Sequence, residues 1–102
     1  MPIIADSADR ADILESGYVA GTRVIGTVQV EAKVGDTRLS FRQHLTIHNN
    51  GPSVIYIGPE GVTSQNGRPL YPGATMDMAV GDLGIYIIAT TSNNTVVIQE
   101  LA

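Results

Sequence analysis

Large apolar residues recur along this chain in short runs, most of them β-branched, with Gly, Pro and Asn standing between the runs. Val54-Ile55-Tyr56-Ile57 ends at Gly58-Pro59-Glu60-Gly61, and Ile85-Tyr86-Ile87-Ile88-Ala89 ends at Ser92-Asn93-Asn94. Thr95-Val96-Val97-Ile98 follows as the last run. Runs of about four to eight such residues, bounded by turn formers at this spacing, predict an antiparallel all-β sandwich or small barrel. The 85–89 run is apolar on both faces, which predicts a central strand, with Ile87 and Val97 in the core. Met76, Met78 and Val80 are expected to face inward from a strand over 75–80, and Asn66-Gly67 reads as a type I′ hairpin turn joining short strands at 62–65 and 68–71.

Earlier in the chain the period is two. Val24, Gly26, Val28, Val30, Ala32 and Val34 alternate with Arg23, Ile25, Thr27, Gln29, Glu31 and Lys33. That alternation predicts a half-buried strand with the first set inward and Ile25 on the solvent side. Gly26 marks a bend or bulge within it. Gly35-Asp36 supplies a tight turn, and the chain returns with Leu39, Phe41, Leu45 and Ile47 on the core face and Arg42, His44, Thr46 and His48 in solvent. A long N-terminal β-hairpin, 22–34 with 38–48, is therefore expected.

Residues 1–20 differ from the rest. They are rich in Ala and Asp, and their large apolar residues cluster at Pro2-Ile3-Ile4 and Ile13-Leu14. Two readings stand for this stretch: a frayed terminus, as chain ends often are, or an extended N-terminal arm whose two apolar points on an acidic tether wrap along a partner, with ordering entropy offset on binding. The expected organisation is thus an arm at 1–20 and a β-sandwich domain at 21–102. Pro2, Ile3, Ile4, Ile13, Leu14 and the solvent-side Ile25 are the candidate partner-interface residues.

Composition narrows the function classes. A chain of 102 residues fits one domain. A formal charge of −4 argues against a general nucleic-acid binder, which needs a basic face. There is no cysteine, hence no disulfide framework, Cys nucleophile or thiolate metal site. No apolar run approaches the ~20 residues of a membrane-spanning helix, and the first residues do not read as a signal peptide, so no membrane partner and synthesis in the cytoplasm are expected.

The residue pattern offers no catalytic or cofactor constellation. His44 and His48 share a strand face but lie roughly 13 Å apart at the rise of a strand, too far to grip one ion. Ser, Thr and Asp fall mostly in turns, with no G-x-S-x-G elbow leading into a helix. Glu60 reads as a polar turn residue. The glycines are spread singly among turns rather than gathered into a phosphate loop. Tyr18, Tyr56, Tyr71 and Tyr86 are the candidates for a sugar-stacking platform, although mid-strand Tyr56 and Tyr86 fit packing better. The expectation is no enzyme, no cofactor and no bound metal.

One passage goes further. Ile47-His48-Asn49-Asn50-Gly51-Pro52 followed by Val54-Ile55-Tyr56-Ile57-Gly58, then Gly61-Val62-Thr63, Asn66-Gly67-Arg68-Pro69-Leu70-Tyr71-Pro72-Gly73 and Leu83-Gly84-Ile85-Tyr86-Ile87-Ile88-Ala89, resembles a small β-sandwich module of tailed-bacteriophage virion proteins. The resemblance covers about residues 45–101 and rests on the order of the turn signals. It implies a structural virion protein, and in a chain of this size a capsid decoration (cement) protein. Such a protein forms trimers on the capsid surface and stabilises the shell by binding the major capsid protein. The alternative it implies is a receptor- or carbohydrate-binding β-module of a phage fibre or tail. The resemblance carries no catalytic residue.

Overall fold

The computed structural model describes residues 17–102 and the backbone of two short N-terminal strands, 2–3 and 5–6. The strands are β1 (Pro2–Ile3), β2 (Ala5–Asp6), β3 (Tyr18–Ile25), β4 (Val30–Glu31), β5 (His44–Asn49), β6 (Ile55–Gly58), β7 (Arg68–Leu70), β8 (Thr75–Met78), β9 (Tyr86–Ala89) and β10 (Asn94–Leu101). β1 and β2 pair only with each other, and β3–β10 form two four-stranded sheets, β3-β10-β5-β8 and β4-β9-β6-β7.

The pairing has a simple logic. β3 pairs with β10, β4 with β9, β5 with β8 and β6 with β7, all antiparallel, as if one long ribbon had been folded back at the β6–β7 connection. Rolling that ribbon over itself adds the β10–β5 and β6–β9 ladders and places alternate stretches in opposite sheets. The result is an eight-stranded jelly roll, an all-β sandwich whose outer edges are β3 and β8 in one sheet and β4 and β7 in the other. β9 is an inner strand, as its two-sided apolarity predicts.

Between the sheets lie Ile25, Leu45, Ile47, Val96 and Ile98 from one side and Ile55, Ile57, Leu70, Ile87 and Ala89 from the other. Burying each Ile or Leu stabilises the sandwich by roughly 1.5–3 kcal/mol. Met76 joins this core, with Met78 and Val80 packed against it, as expected from the 75–80 pattern.

The N-terminal hairpin does not form. β10, the last strand, lies between β3 and β5, and the early strand is broken into β3 and β4. The break comes at Gly26, where the chain crosses from one sheet to the other and the Gly26 carbonyl accepts the Ala89 N–H. The phase of β3 is also inverted: Ile25 is fully buried, whereas Val24 and Val28 are exposed. Ile25 is therefore a core residue and not a subunit contact. Arg23 takes an inward phase without a buried charge because its guanidinium reaches the rim and donates to the carbonyls of Lys33 and Gly35. β10 shows the same one-residue inversion, with Val96 buried and Val97 on the outer face. β3 begins at Tyr18, so residues 18–20 belong to the sandwich rather than to the arm.

Asn66-Gly67 makes no hairpin. Thr63 and Asn66 close a local turn, the Thr63 N–H donating to Asn66 Oδ1 and the Gly67 N–H to the Thr63 carbonyl. A Cβ on Gly67 would fall 2.7 Å from that of Tyr56, so close packing, not turn type, sets the glycine here. Ile4, Ile13 and Leu14 lie outside the described residues, as do the side chains of Pro2 and Ile3.

Candidate functional site

Four of the exposed large apolar side chains, Tyr18, Phe41, Leu83 and Leu101, gather at one end of the sandwich, whereas Val24, Val28 and Tyr71 are exposed elsewhere. Tyr18 at the start of β3 is the cross-strand partner of Leu101 in β10. The Leu101 carbonyl accepts the Gln43 N–H at 2.7 Å, which brings in the loop that carries Phe41. The Leu83 carbonyl is held by Arg42 at 2.7 Å, which brings in the β8–β9 loop. Tyr18, Phe41, Leu83 and Leu101 are all exposed, so four separate segments set apolar groups around one tip.

Phe41 is the most unusual of them. It is the chain's single Phe, it is 91% exposed, and its φ of 60° is left-handed. A bulky L-residue held there costs roughly 1–2 kcal/mol, and such strain persists only where the surroundings enforce it. Arg42 does the enforcing. Its Nη1 donates to Glu100 Oε2 at 2.7 Å and to the Ala32 carbonyl at 3.1 Å, Nε to Gly81 O at 2.8 Å and Nη2 to Leu83 O.

The carboxylate of Glu100 is equally occupied. Oε1 accepts the Val34 N–H at 2.9 Å, and Oε2 accepts the Leu39 N–H at 3.3 Å besides Arg42. The ion pair has side-chain exposures of 0% and 1%. A buried charge is tolerated only when paired and hydrogen-bonded, and this one is. It ties the 32–43 loop, the 81–83 loop and the end of β10 into one rigid base beneath the tip. Outside it, Arg38 bridges Glu31 and Asp82. Those carboxylates, Glu31 foremost, hold the Arg38 guanidinium more firmly protonated than usual.

Sequence reasoning placed Arg42 in solvent and Phe41 in the core. The left-handed residue slips the register by one, and a one-residue slip exchanges the two faces of a strand. A usable signal lay at the other end of the chain. Val96, Ile98 and Glu100 are two apart on one face, so a core-facing β10 demands a buried cation for Glu100.

His44 and His48 stand on the outer face of the first sheet, as the pattern predicts. Thr46 donates to Asp77 Oδ1 at 2.7 Å and His48 Nδ1 shares a hydrogen bond with Thr75 Oγ1 at 2.8 Å, forming a polar strip across β5 and β8. Among the described residues no group of His, Cys, Asp or Glu could hold a metal ion, and no helix is long and apolar enough to cross a membrane. Tyr71 is exposed in the β7–β8 turn, whereas Tyr56 and Tyr86 are part-buried on the outer face of the second sheet, so the tyrosines form no common platform.

No family model and no curated protein matches the chain. Among solved structures it is similar to an HTH_3 family transcriptional regulator from Vibrio cholerae, with a TM-score of 0.59 and 10% identity. That match covers 86% of this chain and 44% of the regulator, so the chain spans less than half of that protein. A second similarity is to disulfide-linked pili of Bacillus endospore appendages, with a TM-score of 0.43 and 13% identity over 82% of this chain and 84% of that one. At such identity the first likeness concerns the fold alone.

Proposed function

We propose that this chain is a structural virion protein of a tailed bacteriophage: a capsid decoration protein that forms trimers and stabilises the shell by binding major capsid subunits. One observation carries the contact role. An exposed aromatic in a strained backbone, clamped by a buried ion pair, has no use in the isolated fold and suits an anchor for a partner surface. The turn-signal resemblance over about residues 45–101 supplies the phage context. Jelly rolls occur among viral capsid domains, which agrees with that context at the level of fold analogy.

A binding module of a fibre or tail is the second reading, favoured by the strip of hydrogen-bonding side chains at Thr46, His48, Thr75 and Asp77. Counting copies of the chain in purified particles separates the two. Hundreds of copies per particle are expected of a decoration protein and a handful of a tail module. Absence from particles would remove both.

A further inference from the structure

β7 and β8 are consecutive but belong to different sheets, so they splay apart from their connecting turn and leave a slot between the sheet edges. The slot has a volume of about 260 Å³ and is walled by Ile57, Pro59, Met76, Met78, Leu83 and Ile85. Arg68 is the charged residue in its lining. It shares the core-facing side of β7 with buried Leu70 but sits at the open end, where its side chain is exposed. Among the described residues no carboxylate pairs with it. Glu60 and Asp82 stand next in sequence to lining residues without entering the lining. An apolar slot with one cation at its lip fits a short apolar segment that carries a carboxylate.

The chain contains such a segment. Ile3 and Ile4 are followed in sequence by Asp6, and the β1–β2 register sets Asp6 opposite Pro2 and Ala5 opposite Ile3, so the carboxylate-bearing residue lies close to Ile3 along the backbone. Residues 1–16 hold Asp6, Asp9, Asp12 and Glu15 against Arg10, a charge opposite to that of the slot's lip. Gly17 is fixed by the Ala102 N–H at 2.7 Å, and the 13 residues from there back to Ile4 span up to ~45 Å when extended. We propose that the β7–β8 slot receives the N-terminal segment of a second copy, with Ile3 and Ile4 in the apolar slot and Asp6 on Arg68. A contact between two different patches of identical chains yields a ring where its rotation closes and an open filament where it does not; a three-fold closure is how it would yield a trimer. The inference rests on the assembly reading above and names its contact.

The test is a charge swap in the full-length chain, read by sedimentation equilibrium across micromolar concentrations. Arg68→Glu and Asp6→Arg are each expected to weaken self-association at least tenfold, about 1.4 kcal/mol. The double variant is expected to return to within about threefold of wild type. Arg68 is exposed, so unfolding curves of the variants should overlay that of the parent. Single variants within about twofold of wild type, a double variant no better than the singles, or a parent that stays monomeric would each overturn the proposal; the last is the outcome if the segment fills its own copy's slot. Copy number per particle reports separately. A working swap in a chain absent from particles removes the virion reading alone. An abundant particle protein with indifferent variants removes the slot alone.

Discussion

β10 carries a fully buried polar side chain near each end, and the fold treats the two differently. At the C-terminal end Glu100 faces Arg42, and the pair ties two loops, 32–43 and 81–83, to the end of β10. At the other end, roughly 20 Å away at six residues of strand rise, Asn94 meets Asn49. Asn94 Nδ2 donates to Asn49 Oδ1 at 3.0 Å, and Asn94 Oδ1 accepts the Ser53 N–H at 2.8 Å. Asn49 Nδ2 donates to the carbonyls of Ser53 and Leu70, both at 2.8 Å. The neutral cluster closes the 49–53 corner against β10. A Cβ on Gly51 would fall 2.3 Å from Asn94 Oδ1, so this corner is packed as tightly as a core. Both ends expose an aromatic, Tyr71 beside the neutral cluster and Phe41 at the charged tip, but the left-handed residue near the neutral end is Asn93, which tolerates that conformation, whereas at the charged end it is Phe41. Charge with many donors can clamp long loops in a strained shape; a pair of amides fixes a corner.

The largest expected effect tests that difference at the charged end. Glu100→Gln leaves the Arg42 guanidinium buried without its counter-ion and should cost ~3–5 kcal/mol in denaturant unfolding. Arg42→Met together with Glu100→Leu should cost clearly less than the sum of the singles, because the uncompensated charge disappears. It should not be free, since the carbonyls of Ala32, Gly81 and Leu83 lose their donor. Strict additivity in this cycle would contradict a coupled ion pair.

Midway between the ends, Ile87→Ala supplies the apolar reference. Ile87 is wholly buried in β9, and its truncation should cost ~2–5 kcal/mol. Asn94→Ala, at the neutral end, should cost less, ~1–3 kcal/mol, chiefly for the buried Asn49 Oδ1 left without its donor and the part-buried Ser53 N–H left without its acceptor. If Asn94→Ala proved as damaging as Glu100→Gln, the distinction between clamp and corner would fail.

The strands themselves were legible wherever apolar runs met turn signals, as at 54–57, 75–78 and 85–89. Their phase was not legible in the two longest strands. Thr95-Val96-Val97-Ile98 is apolar at adjacent positions, so its pattern cannot say which face is inward; only Glu100, read as a buried residue, would have broken the tie. In β3 the sign was misread because Arg23 has an inward phase while Val24 and Val28 do not. Pairing across the chain was also hidden. β3 and β10 are joined by long-range register, and local turn chemistry at Gly35-Asp36 says nothing about a strand arriving some 60 residues later. The apolar tip turns on a single left-handed residue, which no period-two argument anticipates.

That residue gives the smallest expected change in stability and the sharpest separation of fold from contact. Asn tolerates the left-handed region better than Phe, and Phe41 has almost no packing to lose. Phe41→Asn should therefore leave the sandwich intact and stabilise it by up to ~1 kcal/mol in chemical denaturation. The same variant should bind undecorated capsids at least tenfold more weakly if the tip is the partner anchor. The two readouts move in opposite directions, which a purely structural role for Phe41 cannot produce. A variant that binds like the parent would return the tip to an ordinary loop, with Arg42 and Glu100 clamping it for the sake of the fold alone.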